Sequence, residues 1–478
     1  SPVLPSRCRR SVEDLIDRTP ADGMVCGLGE VNGVRTCVAS YDYTVLAGTQ
    51  GYWNHKKLDR LVAIAEQSRL PLVLFAEGGG GRPGDDDALP VSGGTLVCSS
   101  FRAMARLSAL VPLVAIVSGR CFAGNAALAG CCDVIIAVRG ANLAMAGPAM
   151  IEGGGLGIVA PSALGPVTTL EQIGVVDVVV ENDADAVEFA RRYLSFFQTP
   201  MILNKVNEDV LLTSSATAED FQKMIPANRR RVFDVRRIIA ALCDDYASKK
   251  NNNLNYLELR PAFGKSIVTA LGRIEGRSVG IIASDSQSHL GGAIDSDSAD
   301  SCARFITLCD AFALPIVSLI DCPGFNVGET SELSGAVRRM SALFLAGATA
   351  SVPIAAVVLR RAYGLGAMAM AGGAHQHGTL FTATWPSGEF GGMGLEGAVR
   401  LAYKKQLAAI EDEKERTAMF ETMVTMAKEH GSALNNAMKF EVDAVIDPAQ
   451  TREWIARAFA GLPHGSSRAG GKRRPSVL

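Results

Sequence analysis

Val111-Pro-Leu-Val-Ala-Ile-Val-Ser-Gly-Arg-Cys-Phe-Ala-Gly-Asn-Ala126 reads as a strand that runs into a turn of small residues and then into an Ala-rich helix. Leu113 to Val117 are apolar without alternation, which suits a strand covered on both faces. The helix opens at Ala123-Gly124, so its first N–H groups lack acceptors within the helix and its positive dipole end faces outward. Two such N–H groups can hold an oxyanion. Taken alone, the turn is as well explained by tight packing of a helix on a sheet. The same device recurs at Val352-Pro-Ile-Ala-Ala-Val-Val-Leu-Arg-Arg-Ala-Tyr-Gly-Leu-Gly-Ala367, which favours the oxyanion reading.

Two other segments recur in the same order. Gly27-Leu-Gly-Glu-Val-Asn-Gly-Val-Arg-Thr-Cys-Val-Ala-Ser40 is echoed by Leu271-Gly-Arg-Ile-Glu-Gly-Arg-Ser-Val-Gly-Ile-Ile-Ala-Ser284. Each predicts a hairpin with an Asn-Gly or Glu-Gly turn. Leu70-Pro-Leu-Val-Leu-Phe-Ala-Glu-Gly-Gly79 is echoed by Leu314-Pro-Ile-Val-Ser-Leu-Ile-Asp-Cys-Pro-Gly-Phe325. The offsets of 243, 244 and 241 residues imply two copies of one domain. Within each copy, strands such as Leu70 to Phe75 and Val134 to Val138 alternate with helical stretches, Lys56 to Gln67 and Phe101 to Leu110. That alternation predicts an α/β fold with a largely parallel sheet. The expected organisation is an N-terminal extension (1–26), a first domain (27–185), a helical linker (186–260), a second domain (261–462) and a loose tail (463–478).

The 478 residues are 48% hydrophobic and 20% charged, which excludes disorder as the main state. Lys plus Arg number 47 and Asp plus Glu 49, so no electrostatic footprint for nucleic acid or an anionic membrane exists. No apolar run is long enough to span a bilayer. The eleven cysteines form no CxxC pair, which argues against a zinc ribbon or a disulfide framework. The expected compartment is reducing, the cytoplasm. The chain begins without Met, as expected of a processed chain or a domain cut from a longer one. Glycine, 49 residues, clusters after apolar runs, where main chain can approach a ligand closely.

The Val117-to-Ala137 segment resembles the signature of the crotonase superfamily, whose acyl-CoA enzymes hold a thioester enolate with two backbone N–H groups. Gly124 falls on the central glycine of that turn. Ala127 stands where hydratases of the superfamily carry a catalytic Glu, so hydration is not expected. Two crotonase-like (ClpP/crotonase) β-β-α superhelix domains in tandem resemble the carboxyltransferase component of biotin-dependent acyl-CoA carboxylases. Its marks are Asp42-Tyr-Thr-Val-Leu-Ala-Gly-Thr-Gln-Gly51, Asp321-Cys-Pro-Gly-Phe325, Arg361-Ala-Tyr-Gly-Leu-Gly-Ala367, Ala383-Thr-Trp-Pro-Ser-Gly-Glu-Phe-Gly-Gly-Met-Gly-Leu-Glu-Gly-Ala398 and Val445-Ile-Asp-Pro-Ala-Gln-Thr-Arg452. Glu77-Gly-Gly-Gly-Gly-Arg-Pro-Gly-Asp85 and Tyr363-Gly-Leu-Gly-Ala-Met-Ala-Met370 look most like the single-chain, long-chain-type carboxylases.

The resemblance implies transfer of a carboxyl group from carboxybiotin to the α-carbon of an acyl-CoA, with backbone donors at two anions. Carried over by position, Ala123 and Gly124 serve the acyl-CoA oxygen, and Leu365 and Gly366 the biotin oxygen. Gly79 and Gly80, with Arg82 and Lys57, are the expected coenzyme A contacts, although a flexible turn for Arg82 and a solvated face for Lys57 explain those two as well. Gly324, Phe325 and Tyr363 are expected on the biotin side. Met368 stands where propionyl-CoA-type relatives have Asp, which implies a greasier acyl pocket, while a packing Met is compatible with that. No metal is implied. The implied partners are biotin carboxylase and a biotin carboxyl carrier, as domains or subunits, and further copies of this chain in a hexamer (a trimer of dimers) whose half-sites meet across the dimer. The reverse transfer by a decarboxylase subunit and a non-catalytic assembly subunit are the alternatives.

Three look-alikes are set aside. In Gly27-Leu-Gly-Glu-Val-Asn-Gly33, Asn32 replaces the third glycine of a dinucleotide loop and no helix follows. His375 and His377 have no further ligand at a suitable spacing. Lys439 in Ala437-Met-Lys-Phe-Glu441 lacks the surroundings of a biotin carrier site and is expected to be a surface lysine.

Overall fold

The structure, a computed structural model, describes residues 12–82, 98–198, 218–226, 228–229, 231–244, 255–375 and 378–462. The tail from 463 onward, Lys249, Lys250 and His377 lie outside them. The chain divides into two compact units at 202/203.

In the first unit, β1 (Met24–Val31) and β2 (Val34–Tyr41) form the hairpin expected from the Asn-Gly turn. Asn32 and Gly33 both have positive φ, 56° and 76°, the geometry of a type I′ turn. β3 (Leu72–Phe75), β4 (Leu113–Val117), β6 (Val134–Val138) and β8 (Val178–Val180) follow in parallel, giving a six-stranded sheet in the order β1-β2-β3-β4-β6-β8. A small second sheet pairs β5 (Arg120–Phe122) with β7 (Asn142–Ala144). The crossovers carry α1 (Tyr52–Ser68), α2 (Ser100–Leu107) and α3 (Gly124–Gly130). α2 stops three residues before the expected Leu110, because Ala109 turns to φ 65°.

The second unit repeats this plan. β9 (Leu257–Leu259) pairs with β10 (Ile267–Ile274), which forms the hairpin with β11 (Arg277–Ser284), again with positive φ at Glu275 and Gly276, 49° and 77°. Asp244 accepts both turn N–H groups at 2.8 and 2.7 Å, which holds a Glu where Asn or Gly is usual. β12 (Ile316–Cys322), β13 (Ile354–Tyr363) and β14 (Phe381–Thr384) continue in parallel. Their crossovers are α4 (Ser296–Ala311), α5 (Ala336–Thr349) and α6 (Gly364–Met370). Strand register obeys the repeat: Cys37 opposes Leu72 as Gly280 opposes Ile316, and Leu72 opposes Leu113 as Ile316 opposes Ile354.

Within the span expected as a helical linker, 186–260, the described residues belong to the two units. Residues up to Ser195 complete a helix, Asp183–Ser195, of the first unit. Phe221, Phe233, Ile238, Ile239 and Leu242 are buried in the core of the second unit with Val268, Val317 and Val357. Their apolar surface is worth more in a core than on a tether, at about 25 cal/mol per Å².

Candidate active site

Each unit places a helix start beside the loop that leaves the preceding strand. In the first, Ala123 caps α3 with φ 51° and ψ −120°, a conformation that side-chain-bearing residues rarely adopt. Its own N–H is taken by the Ala144 carbonyl at 2.9 Å, because the β5–β7 pairing continues one residue further. Ala123 therefore leaves the donor set expected from the sequence, and the free-facing N–H groups begin at Gly124.

The loop Gly78–Gly81 is laid against this turn by Asn125, whose role the sequence reading missed. Asn125 is fully buried; its Oδ1 accepts the Gly80 N–H at 3.0 Å, and its Nδ2 faces the Gly48 and Glu77 carbonyls at 3.4 Å. A Cβ on Gly78 would lie 2.2 Å from that Nδ2 and 2.3 Å from the Gly48 oxygen, so only glycine lets the backbones come this close. Gln50 is a second residue the sequence did not single out by role. Its N–H donates to Gly80 and its carbonyl accepts from Arg82, both at 2.7 Å. Its side-chain amide donates to Tyr41 Oη at 3.2 Å, and its Oε1 fills the space beside Gly124.

Two side chains expected at coenzyme A are engaged within the protein. Arg82 is buried and forms an ion pair with buried Asp22 at 2.6 Å, while Nη2 reaches the carbonyls of Asp22 and Thr49. A guanidinium so engaged pins residues 22 and 49 to the loop. Lys57 turns its Nζ to the carbonyls of Ala21 and Met24, fastening the segment before β1 onto α1. Gly79 is exposed and donates to the Ala47 carbonyl at 3.0 Å.

The second unit has the same construction. The Ile294 N–H donates to Gly324 at 3.0 Å and the Asn326 N–H to Ile294 at 2.8 Å, a bridge 244 residues beyond the one between Gln50 and Gly81. α6 starts at Gly364, Leu365 is exposed, and Gly366 is buried. A Cβ on Gly366 would stand 2.6 Å from the Gly324 carbonyl carbon and 2.9 Å from the Phe325 nitrogen. The structure thus brings Gly324, Phe325 and Gly366 together. Tyr363 hydrogen-bonds to Glu389, which also meets Arg229. Met368 is half-buried on α6.

Beneath the turns the two copies differ in charge. Asp321 is fully buried and held by Arg360 and Arg361, each at 2.8 Å. Burial opposes its ionisation, but the two guanidiniums outweigh it and hold the carboxyl below its usual range. Glu77 occupies the equivalent place, and by the 241-residue offset Gly119 and an exposed Arg120 stand where Arg360 and Arg361 do, so one of the two arginines is missing and the other faces out. Burial therefore raises Glu77, offset only in part by the Ser118 N–H, with Asp183 raising it further. Glu77 faces a cavity of about 450 Å³ walled by Tyr41, Tyr43, Ser118, Gly119 and Arg120. The corresponding cavity of about 500 Å³ in the second unit is rich in arginine, with Arg229, Arg231, Arg361 and Arg400 beside Pro323 and Tyr363.

The description of the carboxyl transferase domain matches residues 6–474. The chain belongs to the carboxyl transferase domain family. It is 32% identical to the methylmalonyl-CoA carboxyltransferase 12S subunit of Propionibacterium freudenreichii subsp. shermanii, over 92% of this chain and 81% of that one. It is 29% identical to the propionyl-CoA carboxylase beta chain of Saccharopolyspora erythraea, over 93% and 81%. Among solved structures it is similar to a single-chain, multi-domain long-chain acyl-CoA carboxylase, with a TM-score of 0.83 and 49% identity over 95% of this chain. It spans 43% of the length of that carboxylase. The solved 12S transcarboxylase, described as a hexamer assembly, gives a TM-score of 0.81 at 30% identity, over 95% of this chain and 84% of that one. The tandem α/β architecture is that of this family of carboxyltransferases, as the repeat and the paired motifs imply. Among the described residues no helix is long and apolar enough to cross a membrane, and no group of three or more His, Cys, Asp or Glu could hold a metal ion.

Proposed function

We propose that the chain moves a carboxyl group between carboxybiotin and the α-carbon of an acyl-CoA. The observation that carries this reading is the paired geometry: two helix starts, each set beside the loop that leaves the preceding strand. At the first turn the donors are Gly124 and Gly81. Gly80 and Arg82 both direct their bonding groups to Gln50, so the Gly81 N–H faces the other way, toward the turn. This arrangement suits the thioester oxygen as it gains charge. At the second turn the same alternation frees the Phe325 N–H, which joins the first-turn N–H groups of Leu365 and Gly366.

The close approach at Gly366, where a Cβ has no room, fits a flat ureido group better than a bulky one. Carboxybiotin, when bound, supplies the carboxyl group and an anion able to take the α-proton. The chain's part is to orient both partners and to stabilise negative charge with fixed donors, each worth about 10²–10³ in rate. Ala127 adds no acid or base at the hydratase position.

Biotin is proposed to arrive on a carrier domain or chain loaded by a biotin carboxylase. The chain is proposed to act as a homo-oligomer built from dimers, a hexamer. Support comes from the hexameric 12S relative and from exposed apolar side chains at Leu156, Ile158, Val327, Leu333 and Val337. The acyl group is proposed to be longer than propionyl, from Met368 and the likeness to the long-chain carboxylase.

The test is to incubate the protein with malonyl-CoA, or a longer 2-carboxyacyl-CoA, and free biotin. Biotin-dependent formation of the decarboxylated acyl-CoA is expected. No biotin-dependent turnover with any chain length would overturn the proposal and leave the assembly role.

A further inference from the structure

Cys98 precedes α2, with its Sγ 3.5 Å from His55 Nδ1. The same imidazole nitrogen lies 2.9 Å from Ser100 Oγ. Ser99 and Ser100 both donate to Asp59, each at 2.5 Å, which fixes the helix start beside the imidazole. Partial burial raises the thiol, but His55, through its hydrogen bond and charge, together with the Ser100 N–H, outweighs burial and brings it below the usual range. Cys121, Cys302 and Cys322 are instead buried and pushed up, the last two to about 12.

We propose that Cys98, paired with His55, is a reactive thiol that exchanges with low-molecular-weight disulfides, and that the resulting adduct hinders the acyl turn at Gly124. In the exchange, the Cys98 sulfur, as thiolate, attacks one sulfur of the disulfide. A new sulfur–sulfur bond forms to Cys98, the original one breaks, and the second half leaves as a thiolate that solvent protonates. A small thiol in excess reverses the step.

The route to the turn is short. The His55 ring meets Phe101 edge-on, with centroids 6.0 Å apart. Phe101 Cζ lies 3.2 Å from where a Cβ on Gly124 would stand. A group attached to Cys98 therefore presses on His55 and Phe101, and through them on Gly124. This second half rests on the acyl-CoA reading of Gly124; the reactivity of Cys98 does not.

Oxidised glutathione or trace iodoacetamide at pH 7, followed by peptide mass spectrometry, tests the first half. Cys98 is expected to react roughly 10-fold faster than Cys26, Cys131 or Cys132, which are also partly exposed. His55→Asn is expected to slow Cys98 roughly 10-fold at an unchanged thermal midpoint. Cys98 reacting no faster than Cys26 in the wild type, or at the same rate in a folded His55→Asn protein, overturns it. For the second half, the glutathione adduct is expected to lower biotin-dependent turnover of malonyl-CoA, with recovery on adding dithiothreitol. Cys98→Ser should keep its turnover through the same treatment. Full turnover in stoichiometrically modified protein overturns the coupling. A protein inactive before treatment overturns the function reading, and the labelling order still decides the thiol.

Discussion

Gly124 opens α3 and Gly366 is the third residue of α6, and a methyl group on each meets different neighbours. At Gly124 it would run into the Gln50 Oε1, the end of a side chain that can swing away. At Gly366 it would run into the backbone of Gly324 and Phe325, which cannot. Gly366→Ala is therefore expected to lower turnover more than Gly124→Ala, and Gln50→Ala should restore part of the Gly124→Ala loss. Equal defects at the two positions in steady-state assays would contradict the geometry. Gly124→Pro removes the N–H at the first helical position and brings the same clash with Gln50 Oε1 as the alanine methyl. A loss of at least about 10²–10³ in kcat is expected from it, larger than that of Gly124→Ala. The buried carboxyls give a second contrast. Asp321 is held below its unfolded range near 3.9, so it stabilises the fold in full above that value and loses this contribution as pH falls through its folded pKa. Glu77 is raised, so its charge costs stability above its folded pKa and nothing below about 4.3. Asp321→Asn should lower the stability at pH 7 by about 3–5 kcal/mol, read as a lower thermal midpoint, because two arginines lose their partner. Glu77→Gln should raise the midpoint at pH 7 and leave it unchanged near pH 4. The opposite sign for either variant in calorimetry would show that the charge balance beneath the turns is misread.

At the scale of elements, the loop Gly78–Gly81 has its place because Asn125 reaches across from α3. The three contacts of that one amide connect β2's outgoing chain, the loop and the helix. Asn125→Ala leaves the Gly80 N–H buried without a partner, at a cost of about 1–3 kcal/mol. Because the loop flanks the acyl turn, KM for the acyl-CoA should rise with little change in secondary structure. An Asn125→Ala enzyme with unaltered KM and melting would show that the glycine loop holds its shape unaided. Lys439 ends the helix Ala433–Met438, exposed and 3.1 Å from His430 Nε2, so it sits on a helix end and not at a hairpin tip. Streptavidin blotting of protein made with active biotin ligase should show no band that Lys439→Arg removes.

For the whole molecule, exposed apolar side chains occur in both units, at Leu156 and Ile158 in the first and at Val327, Leu333 and Val337 in the second. Surfaces of this kind are usually covered by a partner. Light scattering is expected to give a mass of several chains, and a fully active species near 50 kDa would remove the oligomer. Dilution until subunits separate should abolish turnover before it unfolds the protein.

The repeat, the parallel sheet and the two helix starts were legible in the sequence, because each depends on local pattern. Apolar runs bounded by Gly and Pro set β4 and β6 to the residue, and a turn with two positive-φ residues set both hairpins. Gly324 and Phe325 were legible from the repeat, 244 residues beyond Gly80 and Gly81, whereas Gly366 falls 241 residues beyond Asn125 and has no glycine counterpart there. What the sequence could not decide was which polar atoms are already spent. Ala123 looks like a donor until β7 arrives and takes its N–H; Arg82 looks like a phosphate ligand until Asp22, sixty residues away, neutralises it. Asn125 and Gln50 look ordinary until their amides bridge segments far apart in the chain. Hydrogen bonds between distant residues carry no periodicity, so only the tertiary structure assigns them.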